Sequence, residues 1–438
     1  MGTDAARPTP AGYREIVHAH LASMFERASH STRLPLVACA DAVLAEDLRA
    51  AVDLPLFVNS QMDGYAVRSA DVAGASAEAP VRLTVVGAVH AGDAPGPGVD
   101  DDEACKVMTG APVPEGADCV VPVEDTSAGN DSADAGGGHP ETVLVHAPRA
   151  AGEFVRRPGD DVRAGDVVIP AGVRLHARHL AAAASLGESG LAVRPRPHVA
   201  VIATGSELVP PGQPLGPGQI WESNSLTLAA SLKASGCEVT ATLTCSDNRE
   251  DFTAALDTAV KGADLVVTVG AVSMGDAEVV REVLEPREGS RFAPIAMQPG
   301  GPQGMSWWRD TPVVCLPGNP VSAMVSFEVL LRPVLLEVVG REPVRPLRVR
   351  LARDVTSPAG KVQYLRAALT SPDSADTGAH PVATGSDPAC DTGTPVADPV
   401  SGPGSHLVAS MARADVLLEI PADVTELAAG SVVAALPL

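Results

Sequence analysis

Five short stretches carry residue types suited to polar chemistry at a turn. Thr204-Gly205-Ser206-Glu207-Leu208 follows an apolar run. Backbone amides there can meet an anion and Glu207 can bind a metal, but a plain strand-ending turn with a solvated Glu207 accounts for the same residues. Gly270-Ala271-Val272-Ser273-Met274-Gly275-Asp276-Ala277-Glu278 joins a second apolar run to a helical pattern, a setting that favours phosphate or another oxyanion. On local grounds Asp276 reads best as an N-cap. The stretch has neither the Gly-Lys-Ser/Thr ending of a P-loop nor GxGxxG spacing. Leu316-Pro317-Gly318-Asn319-Pro320-Val321-Ser322-Ala323 is a stiff turn that either starts a helix or lines a pocket, with Pro320 in the first helical turn. Met62-Asp63-Gly64-Tyr65-Ala66 and Met108-Thr109-Gly110-Ala111-Pro112 form another pair. Asp63 is either a ligand or base, or an Asx-turn residue before glycine. Arg156-Arg157-Pro158-Gly159-Asp160-Asp161 sets two guanidiniums beside two carboxylates, a phosphate clamp or a surface ion-pair cluster. No Ser-His-Asp or Cys-His arrangement stands out.

These turns need elements to hold them. The stripe Tyr13, Ile16, Val17, Leu21, Met24 predicts an amphipathic helix over 10–29, and a second short helix is expected over Ala40–Asp47. Short apolar runs such as Val81–Val86 and Cys119–Val123 make 51–149 a β-rich domain, with Asp125–Pro140 a mobile polar loop. A helix is expected over His179–Leu186. Between 196 and 340 the strand candidates are Val199–Ala203, Glu238–Thr244, Asp264–Val269 and Val313–Leu316. They alternate with helices at Ser223–Ala234, Arg249–Val260, Ala277–Leu284 and Val321–Val339. That alternation predicts a doubly wound parallel sheet, whose ligands bind beyond the strands' carboxyl ends. Asn248 is the expected N-cap of the second of these helices. From 341 to 438 the chain reads as all-β, with strands at Leu347–Leu351, Gln363–Leu369, Val416–Ile420 and Val432–Leu436. A disordered loop is expected over 371–404, which lacks large apolar residues.

Composition narrows the function. The 438 residues carry 32 Lys and Arg against 54 Asp and Glu, a net charge of −22 that argues against nucleic acid and anionic membranes as partners. No apolar run reaches the ~20 residues of a membrane span. Seven cysteines without a CxxC pair, and an N-terminus without a basic and apolar leader, fit a cytoplasmic protein.

Taken together, MDGYAVR, MTGAPVPEGAD, RRPGDD, AGDVVIPAG, TGSEL, GAVSMGD, PGGP and LPGNPVSA occur in the order seen in the MoeA/gephyrin family, and the chain resembles that family from its first helix to its last strand. The resemblance implies molybdopterin molybdenumtransferases, which turn adenylylated molybdopterin and molybdate into molybdenum cofactor and AMP with a divalent cation, usually Mg2+. It implies a multidomain fold: a linker domain from 1–50 and 150–195, an inserted β-rich domain at 51–149, a MogA-like α/β molybdopterin-binding domain at 196–340, and a C-terminal β-barrel at 341–438. It also implies a homodimer, possible contact with a MogA-type adenylyltransferase, and no nucleic-acid or membrane partner. By motif match Asp63, Glu207, Asp247, Glu278 and Asp161 are the catalytic candidates, with Glu207, Asp247 and Glu278 as metal ligands. Thr109, Arg156 and Arg157 would contact substrate, Thr109 and Arg157 from the partner subunit. Thr204, Gly205, Ser206, Gly270, Val272, Ser273, Gly275, Asp276, Pro299, Gly300, Pro317, Gly318, Asn319, Pro320 and Ser322 would line the pocket. Arg366 and Ser410 match positions linked to oxyanion binding.

The departures matter. Family members commonly read SGGVSxGDxD where this chain has VGAVSMGDAE, so Val269 replaces a hydroxyl, Ala271 a glycine and Glu278 an aspartate. A Cβ at 271 calls for a negative φ or a looser ligand approach. MQPGGP stands where many members have KPGKP, so Gln298 and Gly301 replace lysines. Arg332 and Arg366 are the candidate compensating cations. An alternative reading follows: a pterin-binding paralogue with lost or altered transferase activity, acting in storage or scaffolding. A pyrophosphatase sharing only the α/β domain is a third.

Overall fold

The computed structural model describes residues 7–129, 140–273, 278–370, 394–402 and 404–438. The expected loop Asp125–Pro140 falls largely outside them, although Val123–Asp125 and Ser127–Gly129 form short 3-10 turns. The described chain forms two compact units. The larger takes in Met1–Leu34, Ala38–Ala45 and Ala192–Leu438; the smaller takes in Pro35–Val37 and Glu46–Leu191.

The larger unit is organised by a six-stranded sheet in the order Glu238–Cys245, His198–Thr204, Leu265–Val269, Thr311–Leu316, Pro302–Trp308, Arg291–Pro294. The first four strands are parallel, as their β-branched runs predict. The last two are antiparallel, so the sheet is mixed rather than wholly parallel. Pro302–Trp308 returns directly into Thr311–Leu316 through Arg309, whose φ of 56° makes the tight turn that a crossover helix would otherwise replace. Proline and glycine punctuation hid both antiparallel strands in the sequence. All five residues of Leu265–Val269 are buried, whereas Glu238–Cys245 alternates exposed and half-buried as the sheet edge. Asn248 caps the helix Arg249–Ala259, its side chain accepting from the Asp251 amide at 2.7 Å.

The expected helix over 10–29 is two, Pro10–His20 and Ala22–Ala28. Its stripe Tyr13, Val17, Leu21, Met24 is buried against Val199, Val201 and Leu330, so this segment belongs to the α/β core. No helix forms over Ala40–Asp47: Asp41 sits at φ 64°, a conformation that an α-helix does not accept. The helix expected at Val321–Val339 runs as Pro320–Ser326, a π-turn at Phe327–Leu331, and Arg332–Val338. Pro333 has no N–H to offer the carbonyl of Val329. The guanidinium of Arg14 donates to that carbonyl instead, at 3.4 Å.

In the same unit five strands close on themselves as a barrel: Val362–Thr370, Val396–Pro399, Leu347–Leu351, Val432–Pro437 and Val416–Ile420, the last pairing back with the first. Val396–Pro399 lies within the segment expected to be disordered, and that expectation is corrected there. Residues 371–393 and 403 lie outside the described residues. Without this strand the edges of Val362–Thr370 and Leu347–Leu351 would have been left unpaired. Met297–Gln298 adds beside Val362–Gln363 in parallel register.

The smaller unit holds a five-stranded sheet ordered Cys119–Pro122, Gly64–Val67, Glu103–Val107, Val81–Val89, Thr142–Val145. At Gly64 a Cβ would fall 2.1 Å from the carbonyl oxygen of Val121, so only glycine allows this pairing. The helix Ala177–Ser185 and the short strands Val155–Arg156 and Val167–Ile169 complete it.

Candidate functional site

Three of the larger unit's parallel strands end in turns that meet. A cleft of about 650 Å³ lies there, at the carboxyl ends of His198–Thr204, Leu265–Val269 and Thr311–Leu316. The turns touch through backbone. Gly270 has φ 107°, and a Cβ on it would lie 2.6 Å from both the carbonyl oxygen and Oγ1 of Thr204. A Cβ on Gly318 would lie 3.1 Å from the Cα of Gly270. The amide of Gly270 donates to the Leu316 carbonyl at 3.1 Å, and that of Gly205 to the Cys245 carbonyl at 3.1 Å. The side-chain Nδ2 of Asn224 donates to the Gly318 carbonyl at 2.7 Å, tying a helix start to the third turn.

Of the expected pocket residues, Thr204, Gly205, Glu207, Asp247, Gly270, Val272, Ser273, Glu278, Pro317, Gly318, Asn319, Pro320 and Ser322 line this cleft. Ser206 is joined to it: its amide donates to Oδ2 of Asp247 at 2.8 Å, and its Oγ accepts from the Asp247 amide at 3.2 Å. Glu278 accepts from the Ser273 amide at 2.8 Å. Gly275 and Asp276 lie outside the described residues. Pro299 and Gly300 are buried behind the cleft; a Cβ on Gly300 would meet Oγ of Ser326 at 2.5 Å. Sequence reasoning missed Trp221, Ser223, Asn224 and Val408 as lining residues. Only the adjacent polar Ser-Asn-Ser at a helix start hinted at two of them.

Ala271 has φ 48°, so the negative φ expected for a residue with a Cβ is not adopted. The left-handed backbone that a glycine would take at no cost is kept, with strain of about 1 kcal/mol.

The electrostatics of the cleft are one-sided. Glu207, Asp247 and Glu278 line it, and among the described residues no lysine, arginine or histidine does. These three carboxylates do not form a metal cage, since no group of three or more ligating side chains occurs among the described residues. Two of them already accept backbone amides. A Mg2+ ion suits such a place only if a ligand brings further oxygens, as diphosphates do.

The two expected compensating cations are engaged elsewhere. Arg332 pairs with Glu328 on its own helix. Arg366 is only 4% exposed and donates to the carbonyls of Leu407 at 2.8 Å, Gly402 at 2.7 Å and Gly404 at 3.2 Å, and to Oγ of Ser410 at 3.2 Å. Burial lowers its pKa from the ordinary arginine value. Arg366 and Ser410 therefore fasten the 401–410 loop, which reaches the cleft through Val408 and through the Ser405 carbonyl on the Val321 amide. Gln298 is half-buried in its strand, and a Cβ on Gly301 would make ordinary contacts of 3.6–3.7 Å.

The remaining candidates sit in the smaller unit. Oδ1 of Asp63 accepts from the Thr109 amide at 2.6 Å and from its hydroxyl at 2.8 Å. That amide, then that hydroxyl, hold its pKa below the usual carboxylate value. Asp63 thus closes a turn on Thr109. Arg156 and Arg157 are exposed, as is Asp161, whose amide donates to the Leu54 carbonyl at 3.0 Å. The Arg157 amide donates to Asp160 at 2.6 Å.

Comparison with known proteins agrees with this arrangement. Residues 12–187 match the "MoeA N-terminal region (domain I and II)", residues 200–337 the "Probable molybdopterin binding domain", and residues 389–438 the "MoeA C-terminal region (domain IV)". The chain is 41% identical over 422 residues to Molybdopterin molybdenumtransferase 2 of Mycobacterium tuberculosis, covering 94% of this chain and 96% of that protein. It is 41% identical over 354 residues to a molybdopterin molybdenumtransferase of Synechococcus elongatus, covering 77% and 83%. The solved molybdopterin biosynthesis MoeA protein from Pyrococcus horikosii superposes with a TM-score of 0.71 at 30% identity, covering 95% of this chain and 98% of that one. From motifs, fold and relatives alike, the chain belongs to the MoeA family.

Proposed function

We propose that this protein is a molybdopterin molybdenumtransferase of molybdenum cofactor biosynthesis, inserting molybdate into adenylylated molybdopterin with release of AMP. The observation that carries the reading is the cleft beyond the parallel strands, built from glycine-bearing turns and three carboxylates with no basic side chain among its described lining. A diphosphate cannot rest there on protein charge alone, so the reaction is Mg2+-dependent. Glu207, Asp247 or Glu278 would hold the ion, which would supply neutralisation of the diphosphate charge that otherwise repels a nucleophile. The chain's own part is to hold the pterin and phosphates on the Thr204–Ser206, Gly270–Ser273 and Pro317–Ser322 turns. Thr109 and Arg157 act on the substrate from the second subunit of a homodimer, with Arg156 and Asp161 beside them. A MogA-type adenylyltransferase supplies the adenylylated substrate, and both work in the cytoplasm. Among the described residues no helix is long and apolar enough to cross a membrane.

Purified protein incubated with adenylylated molybdopterin, molybdate and Mg2+ should release AMP and yield active cofactor, and chelation of the metal should stop both. A folded preparation that releases no AMP overturns the proposal. The storage-paralogue reading rests on Val269, Ala271, Gln298 and Gly301; it fits the named relatives less well, and it predicts tight pterin binding without AMP release.

A further inference from the structure

The cleft has one flat apolar face that the reaction above leaves without a role. Trp221 ends the short strand Ile220–Trp221, lines the cleft beside Ser223 and Asn224, and is 54% exposed. Its Nε1 donates to the Gln213 carbonyl at 2.9 Å, which fixes the edge of the ring. Among the described lining residues it is the only aromatic one. The chain has three tryptophans. The other two have partners for their rings: Trp307 packs on His20 at 4.8 Å, and Arg287 covers Trp308 at 3.8 Å. An indole held by its edge and left half in water at a cleft mouth is a platform, since every heteroaromatic base offers a face to stack on it.

We propose that Trp221 is a substrate-positioning residue that stacks on a fused heteroaromatic ring of the substrate, purine or pterin. The inference rests on the functional reading above and deepens it. Stacking does not depend on charge, so it can anchor a ligand in a cleft whose described lining carries three carboxylates and no cation. It also places the ring beside the Gly318 turn, which Asn224 ties down. The phosphates are then left to the turns and the metal.

The test uses the full chain and its Trp221→Ala and Trp221→Phe variants, with binding read by calorimetry. The probes are AMP, a simple pterin, and ribose 5-phosphate, which carries the phosphate without a base. Trp221→Ala should weaken AMP or the pterin about tenfold, Trp221→Phe should stay within about threefold, and ribose 5-phosphate should bind all three proteins alike. Weakening of AMP puts the purine on the indole; weakening of the pterin puts that ring there. Wild-type tryptophan fluorescence should be quenched by the same probe, and Trp221→Phe should lose that quenching. Trp221→Ala binding both aromatic probes within twofold of wild type overturns the inference. If wild type releases no AMP in the turnover assay while Trp221→Ala still binds weakly, the assigned reaction fails and the platform stands. If turnover is intact and the affinities are unchanged, only the platform falls.

Discussion

The two units handle charge in opposite ways. In the larger one the strand-end cleft presents Glu207, Asp247 and Glu278 with no basic residue among its described lining, while Arg332 pairs with Glu328 and Arg366 with the carbonyls of Leu407 and Gly402. In the smaller one Arg156 and Arg157 stand exposed, as does Asp63, whose Oδ1 accepts from Thr109. Three carboxylates line the cleft of one unit, and two exposed guanidiniums stand side by side in the other.

The comparison is broken most directly by removing the free charge. The double variant Arg156→Ala/Arg157→Ala should lower kcat/KM for adenylylated molybdopterin roughly a hundredfold, because two charge-assisted contacts are lost. An unchanged kcat/KM would mean the arginines belong to the surface alone. The opposite change adds cations near the cleft. Gln298→Lys/Gly301→Lys should raise apparent affinity for molybdate about tenfold at low salt, with a steeper loss of affinity as salt rises. A Cβ at position 301 would make ordinary contacts of 3.6–3.7 Å with the backbone. Titrations at two ionic strengths would read it.

A smaller effect belongs to the backbone. Ala271→Gly should relieve the left-handed strain at φ 48° and raise the unfolding midpoint by roughly 2–4 °C, corresponding to about 1 kcal/mol. A calorimetric scan showing no rise would mean that the glycine's greater unfolded-state freedom offsets the relief. Smallest is the turn in the arginine-bearing unit. Asp63 has a folded pKa below its unfolded value, so its contribution to stability is present above the unfolded value and is lost as pH falls through the folded one. Thr109→Val removes the hydroxyl and keeps the amide, so the Asp63 pKa should rise part of the way and the acid loss should be smaller and complete at higher pH. An NMR titration of the Asp63 carboxyl would check it.

What could be read in the sequence follows from how local each signal is. The glycine-bearing turns after Ala203, Val269 and Leu316 were legible because a strand run and a turn motif adjoin in the chain. The parallel strands were legible from their apolar β-branched runs. Val396–Pro399 was not, because a four-residue polar-flanked strand gains its stability by closing a barrel whose other members lie far away in sequence. The hydrogen bonds of Arg366 were not legible, because its four acceptors, at residues 402–410, come near it only in the folded barrel. Ala40–Asp47 read as a helix because propensity does not register that Asp41 is left-handed. The two antiparallel strands were hidden by Pro294, Pro302 and Gly304.

The helix that begins at Pro10 sets a timetable for synthesis. Its stripe of Tyr13, Val17, Leu21 and Met24 is buried against strand His198–Thr204 and the helix that includes Leu330. The smaller unit's main span, Glu46–Leu191, leaves the ribosome between these partners. From Met24 to Val199 the chain needs roughly 10–35 s to emerge at cellular elongation rates. By the end of that interval the smaller unit has its own strands, while the first helix still lacks its core. The N-terminal stripe is thus an unpaid hydrophobic debt during translation, and the nascent chain is most exposed to chaperone capture or to self-association before residue 199 appears.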